Sequence, residues 1–186
     1  MKQYQNLAVG AAVCALTFLG VAAWAQKYPS GAPANSANRL TSGDSTFANK
    51  AAAGGMAEVK LGQLAKEKAS SQKVKDFGQR MIDDHTKAND ELKDIAGRKG
   101  ITLPTSLDSK DQATYDRLAK LNGVEFDKAY MRDMVSDHRT DVSEFKRESE
   151  HGTDPDLKAF AAKTTPILEQ HLQLAESTET QVKTEK

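Results

Sequence analysis

Four long stretches of this chain place apolar residues three, four or seven positions apart, and no stretch alternates apolar with polar residues as a half-buried strand would. A period near 3.6 residues commits such a chain to helices that each bury one face. In the first stretch, Asp44 or Ser45 is the expected cap, and Phe47, Ala51, Gly54/Gly55, Glu58, Leu61 and Ala65 form the inner stripe. The small residues there, "GG" above all, suggest a closely packed neighbour. "SSQ" at 70–72 interrupts, and the second stretch carries Val74, Phe77, Met81, His85, Leu92 and Ile95 on one face before Gly100 and Pro104 close it.

The third stretch starts near Val124 and carries Phe126, Tyr130, Met131, Met134, His138, Val142 and Phe145. "GTDP" separates it from the fourth, which carries Leu157, Phe160, Thr164, Ile167, His171 and Leu174. Pro155 suits a first helical turn, whereas Pro166 lies inside the fourth helix and is expected to kink it. Two short turns and one long connection join the four helices, and the long one contains a short amphipathic segment at 108–121. The pattern predicts an all-α, ferritin-like four-helix bundle over 44–180, with a long crossover containing a short extra helix and a C-terminal tail at 181–186.

The residues before the bundle are of another kind. Lys2 precedes an uncharged apolar run at 7–23, and "AWA" at 23–25 has the small residues of a signal-peptidase site. Residues 1–25 read as a cleaved secretory signal, with an uncleaved N-terminal anchor as the alternative. Residues 26–43, rich in Pro, Ser, Asn and Gly, read as a flexible linker. The expected destination is the periplasm or cell envelope, with no transmembrane span after cleavage. Cys14, the single cysteine, falls inside the signal, so a mature chain has no thiolate nucleophile, Cys-zinc knuckle or iron–sulfur cluster. The 26 basic and 26 acidic residues are interspersed, which argues against a nucleic-acid groove. A protein partner and a homo-oligomer both remain open.

Histidine is scarce, yet three of the four histidines end similar pentads: "MIDDH" at 81–85, "MVSDH" at 134–138 and "ILEQH" at 167–171. Each follows an apolar stripe position by four residues and therefore lies on the buried face. Counting outward from the two short turns places Glu58 level with His85, and His138 level with His171. All four stand about 20 Å from the bundle ends at the usual helical rise, near mid-height. Left unpaired they would be costly to bury, so they must satisfy one another or hold something. One reading is a hydrogen-bonded core cluster in which Glu58 accepts from imidazoles. The other is a centre for a single transition-metal ion (zinc, copper or iron) on Glu58, His85, His138 and His171. Asp84 and Asp137, each just before a histidine, are candidate orienting groups or solvated acids. Met81 and Met134 are thioether candidates for copper or core filler, and His151 complements a helix C-terminus.

The phrases "FANKAAAGGMAEVKLGQLAKEKASSQKVKDFGQRMIDDHTKANDELK", "FDKAYMRDMVSDH" and "DLKAFAAKTTPILEQHL" resemble a bacterial exported family of unknown function, often labelled as outer membrane proteins. The resemblance spans about 44–177 and implies export and a ferritin-like bundle, without an established activity. The label has no physical counterpart in the sequence, which lacks barrel-type strands and a lipobox. A carboxylate-bridged di-iron centre would need Glu three residues before histidine on two helices. Ile82, Val135 and Leu168 stand there instead. The first functional reading is therefore non-catalytic binding or structural support, related to envelope stress. A metal-binding protein for storage, buffering or redox protection is the second. A mononuclear metalloenzyme, which would need an open coordination position, is the third.

Overall fold

The computed structural model describes residues 40–184; the expected signal at 1–25, residues 26–39 of the expected linker and the last two residues of the tail lie outside them. Five helices follow one another among the described residues: α1 Ser42–Lys68, α2 Gln72–Lys99, α3 Ser109–Leu118, α4 Gly123–His151 and α5 Pro155–Val182. α1 begins at least three residues earlier than expected because Thr41, rather than Asp44 or Ser45, caps it. Thr41 Oγ1 accepts from the Asp44 amide at 3.1 Å while Asp44 accepts from the Thr41 amide at 2.8 Å, a reciprocal capping box. Gly100 ends α2 with φ 68°, the left-handed conformation that glycine adopts without strain. Asp154 caps α5 ahead of Pro155, and α5 runs as a single helix through Pro166.

α1 packs on α2 and α4, and α5 packs on α4 and α2. Lys50 meets Glu144 near the start of α1, and Asp127 meets Ser70 just beyond its end, so α1 and α4 are antiparallel. Lys163 reaches Glu91, and Arg80 reaches Gln170, which makes α2 and α5 antiparallel as well. α2 and α4 therefore run in the same direction on the diagonal. The connection between them must travel the length of the bundle, and α3 rides within it against α1 and α4.

Gly62 on α1 packs closely against Gly78 on α2. A Cβ on Gly62 would lie 2.6 Å from the Gly78 carbonyl oxygen. The sequence reading placed this contact at Gly54/Gly55. Gly54 faces open space, and a Cβ on Gly55 would strike the Asn89 side-chain amide at 2.1 Å. The stripe on α5 is also shifted: Ala175 is fully buried where Leu174 was expected, and Leu174 is 37% exposed. Leu168 is likewise buried, with Ile167 half-buried. Counting by threes and fours drifts against a 3.6-residue turn, and a leucine attracts the assignment that alanine fills.

The core forms two apolar clusters, one at each end. The cluster nearer the α1–α2 turn includes Leu64, Phe77, Met81, Tyr130, Met134 and Val182, and the other includes Phe47, Leu92, Ile95, Phe145, Leu157 and Leu168. A polar layer containing Glu58, His85, His138 and His171 separates them. Buried aspartates fasten both ends. Asp44 accepts from the amides of Thr153 at 2.8 Å and Asp154 at 3.3 Å, tying the start of α1 to the α4–α5 turn. Asp127 accepts from the amides of Ser70 at 3.2 Å and Ser71 at 2.8 Å, tying the α1–α2 turn to α4.

Candidate metal centre

His85 from α2, His138 from α4 and His171 from α5 meet in the polar layer. Their ring centroids are 5.8 Å apart for His85 and His138, 5.5 Å for His85 and His171, and 5.4 Å for His138 and His171. His138 and His171 are fully buried, and His85 is 6% exposed. One nitrogen of each ring lies within 4.8 Å of the other two.

Two neighbours decide which nitrogens carry protons. His138 Nδ1 lies 3.0 Å from the Met134 carbonyl oxygen, which can only accept, so Nδ1 carries the hydrogen. His171 Nε2 lies 3.0 Å from Asp84 Oδ2. Burial pushes the Asp84 carboxyl upward, but its bonds to His171 and Arg80 outweigh this and hold it below the usual range. Asp84 is therefore an ionised acceptor, and His171 Nε2 carries the hydrogen. His85 Nε2, His138 Nε2 and His171 Nδ1 remain buried without any hydrogen-bond partner. Burial, then the neighbouring imidazoles, push His85 well below its ordinary value. Burial, then His171, brings His138 down to about 4, against the opposing pull of Asp137 and the Met134 carbonyl. Burial also lowers His171, against the opposing pull of Asp84. At neutral pH all three rings are in the uncharged form that ligates metals.

This donor set suits one borderline transition-metal ion. In a triangle with edges of 4.8 Å, each nitrogen stands about 2.8 Å from the centre, and contraction by about 0.7 Å reaches ordinary zinc–imidazole distances. Thr164, Asp141 and Asn89 line, with His85, an adjoining cavity of about 20 Å³, roughly the space of one water molecule.

The structure sets two of the sequence-predicted site residues, Glu58 and Asp137, apart from the trio. Glu58 is level with the histidines and fully buried, but it does not join the trio. Its Oε1 lies 3.9 Å from His138 Nδ1, too far for a hydrogen bond and on the ring edge bearing the proton. Glu58 thus stands apart from the trio, because equal height does not fix which edge of a ring a neighbour meets. Asp137 makes no hydrogen bond to His138, whose Nδ1 meets the Met134 carbonyl. Asp84 does orient an imidazole, but that of His171 on α5 and not the adjacent His85. Met81 and Met134 are core side chains. His151 ends α4 with its side chain 75% exposed.

The sequence reading missed Asp141, one turn beyond His138 on α4. Burial, then Asp137, raises its carboxyl to about 8. The spacing His-x-x-Asp could have drawn attention to it, since residues three apart share a helix face.

A mid-bundle trio of buried imidazoles, enclosed by four long helices with a long crossover, places this chain among helical-bundle proteins with a polar layer in the core. The chain belongs to the family described as Domain of unknown function (DUF4142), which matches residues 29–178. Its structure is similar to the crystal structure of a DUF305 fragment from Deinococcus radiodurans, with a TM-score of 0.68 at 12% identity, covering 76% of this chain and 98% of that one. At that identity the likeness shows the fold alone. No curated protein matches the chain.

Proposed function

We propose that this bundle binds a single transition-metal ion on His85, His138 and His171, and serves in metal storage, buffering or redox protection in the cell envelope. The observation that carries the reading is the set of three buried ring nitrogens without partners. His138 Nε2 and His171 Nδ1 are lone pairs, so they cannot hydrogen-bond each other, and leaving a buried acceptor unmade costs about 1–3 kcal/mol. A metal ion satisfies all three at once. Asp84 would raise the donor strength of His171 through its proton, and the Met134 carbonyl would fix His138 in the matching tautomer.

The ion would supply Lewis acidity or, for copper or iron, redox capacity. The apolar clusters above and below the layer and the near-complete burial of the rings favour retention over turnover. Lys2, the apolar run at 7–23 and "AWA" support export. Among the described residues no helix is long and apolar enough to cross a membrane.

The test is elemental analysis of tag-free protein after metal-replete growth, beside His85→Ala/His138→Ala. One equivalent of zinc, copper or iron in the parent and its loss in the variant are expected. A parent that holds none rejects the reading.

A further inference from the structure

The three imidazoles are not equally sealed. His138 and His171 have no accessible surface, whereas His85 keeps 6% of its own. His85 also lines the cavity of about 20 Å³ that it shares with Asn89, Asp141 and Thr164. An ion held by the trio therefore has its way in and out on the His85 side.

Asn89 follows His85 by four residues on α2 and stands one turn further along the same face. It is the residue common to that cavity and to a surface groove of about 440 Å³ formed by α1, α2 and the start of the crossover. Ala52, Met56, Ala96 and Leu103 line the groove, with the exposed Lys93 beside them. Gly55 gives Asn89 its seat, because a Cβ there would overlap the Asn89 side-chain amide. Gly54, its neighbour, lines the inner cavity and has nothing within 4 Å of where a Cβ would stand. The "GG" pair thus leaves room for one side chain and for the space behind it. The half-buried Asn89 amide makes no hydrogen bond to any described residue. A side chain held by shape alone can change rotamer without breaking a bond, a rapid motion.

We propose that Asn89 is the gate through which the ion reaches and leaves the histidine centre, closing the passage between groove and cavity while it rests on Gly55. The proposal rests on the metal-binding reading above and adds the route and its control. The Asn89 amide oxygen offers the ion a ligand in transit, and the oxygens of Asp141 and Thr164 line the cavity beyond. A gate alters the barrier and leaves the end states alone, so it sets loading and release together without changing affinity. A residue that orients a ligand would shift the affinity itself.

Zinc uptake, and zinc release to excess chelator, measured by stopped flow with a zinc-responsive dye at pH 7, test this on tag-free parent, Asn89→Ala and Asn89→Leu. Both substitutions raise helix propensity at a position without a hydrogen bond, so neither variant should melt below the parent. Asn89→Ala empties the seat over Gly55 and should speed uptake and release about tenfold or more, with Kd within about twofold of the parent. Asn89→Leu keeps the bulk and removes the oxygen, so its rates should equal or fall below those of the parent. Parent-like rates in Asn89→Ala, a Kd that moves as far as the rates, or equal acceleration in Asn89→Leu overturns the gate and leaves the metal centre standing. A parent that takes up no zinc overturns both readings.

Discussion

Asp44 and Glu148 sit together at one end of the bundle, and their proton affinities diverge. Burial pushes Asp44 upward, but bonds from Thr41 and from the Thr153 and Asp154 amides outweigh it and bring the carboxyl to about 2. Glu148 is raised to about 7 by burial and then by Asp44, and its Oε1 lacks a partner. A carboxyl raised in the folded state contributes stability below its unfolded pKa and loses it as pH rises through the folded value. Glu148→Gln should therefore leave urea stability nearly unchanged at pH 5 and raise it by about 1 kcal/mol at pH 8.5, discounted for solvent screening. An equal effect at both pH values would contradict this. At the other end, Asp127→Ala should strand the Ser70 and Ser71 amides at a cost of about 2–3 kcal/mol. Hydrogen exchange at those two turn amides should accelerate more than at amides within α1.

Between helices, the contact that sets the α1–α2 spacing is the Gly62–Gly78 approach. Gly62→Ala must push the helices apart against a backbone carbonyl 2.6 Å away, and should cost about 2–3 kcal/mol in denaturant melts. Gly54→Ala meets nothing and should stabilise by about 0.5–1 kcal/mol through helix propensity. Reversal of that order would refute the packing described. The contrast also shows what the sequence could tell. Apolar periodicity, Gly100 and the "GTDP" turn made the helices and their connections legible, because those signals are local. Close packing was expected at the adjacent pair Gly54/Gly55, where Gly55 does meet the Asn89 side chain of α2, but the backbone-to-backbone contact takes one glycine from each of two helices. That relation depends on register, which no single helix carries. Thr41 escaped notice for a related reason: Asp44 is a good cap residue, but here it also anchors the α4–α5 turn.

The molecule as a whole is two apolar clusters divided by a polar layer, and the height of that layer could be counted from the turns. Its internal arrangement could not, because the turns say nothing of which ring edge Glu58 meets or whether Asp137 and Asp141 turn inward. The layer should make the metal-free protein acid-sensitive. His85, His138 and His171 all have folded values below their unfolded one, so the unfolded chain gains protons first. Stability should fall as pH drops from about 6.5 toward the His138 value of about 4, and one equivalent of zinc should shift that loss to lower pH. The central claim, that three specific lone pairs bind one ion, is tested most directly by nitrogen NMR of the imidazoles during a zinc titration near pH 7. The metal-free protein should show His138 protonated at Nδ1 and His171 at Nε2. His85 Nε2, His138 Nε2 and His171 Nδ1 should then shift together and saturate at one equivalent. Unchanged resonances, or the opposite tautomers at His138 and His171, would contradict the claim.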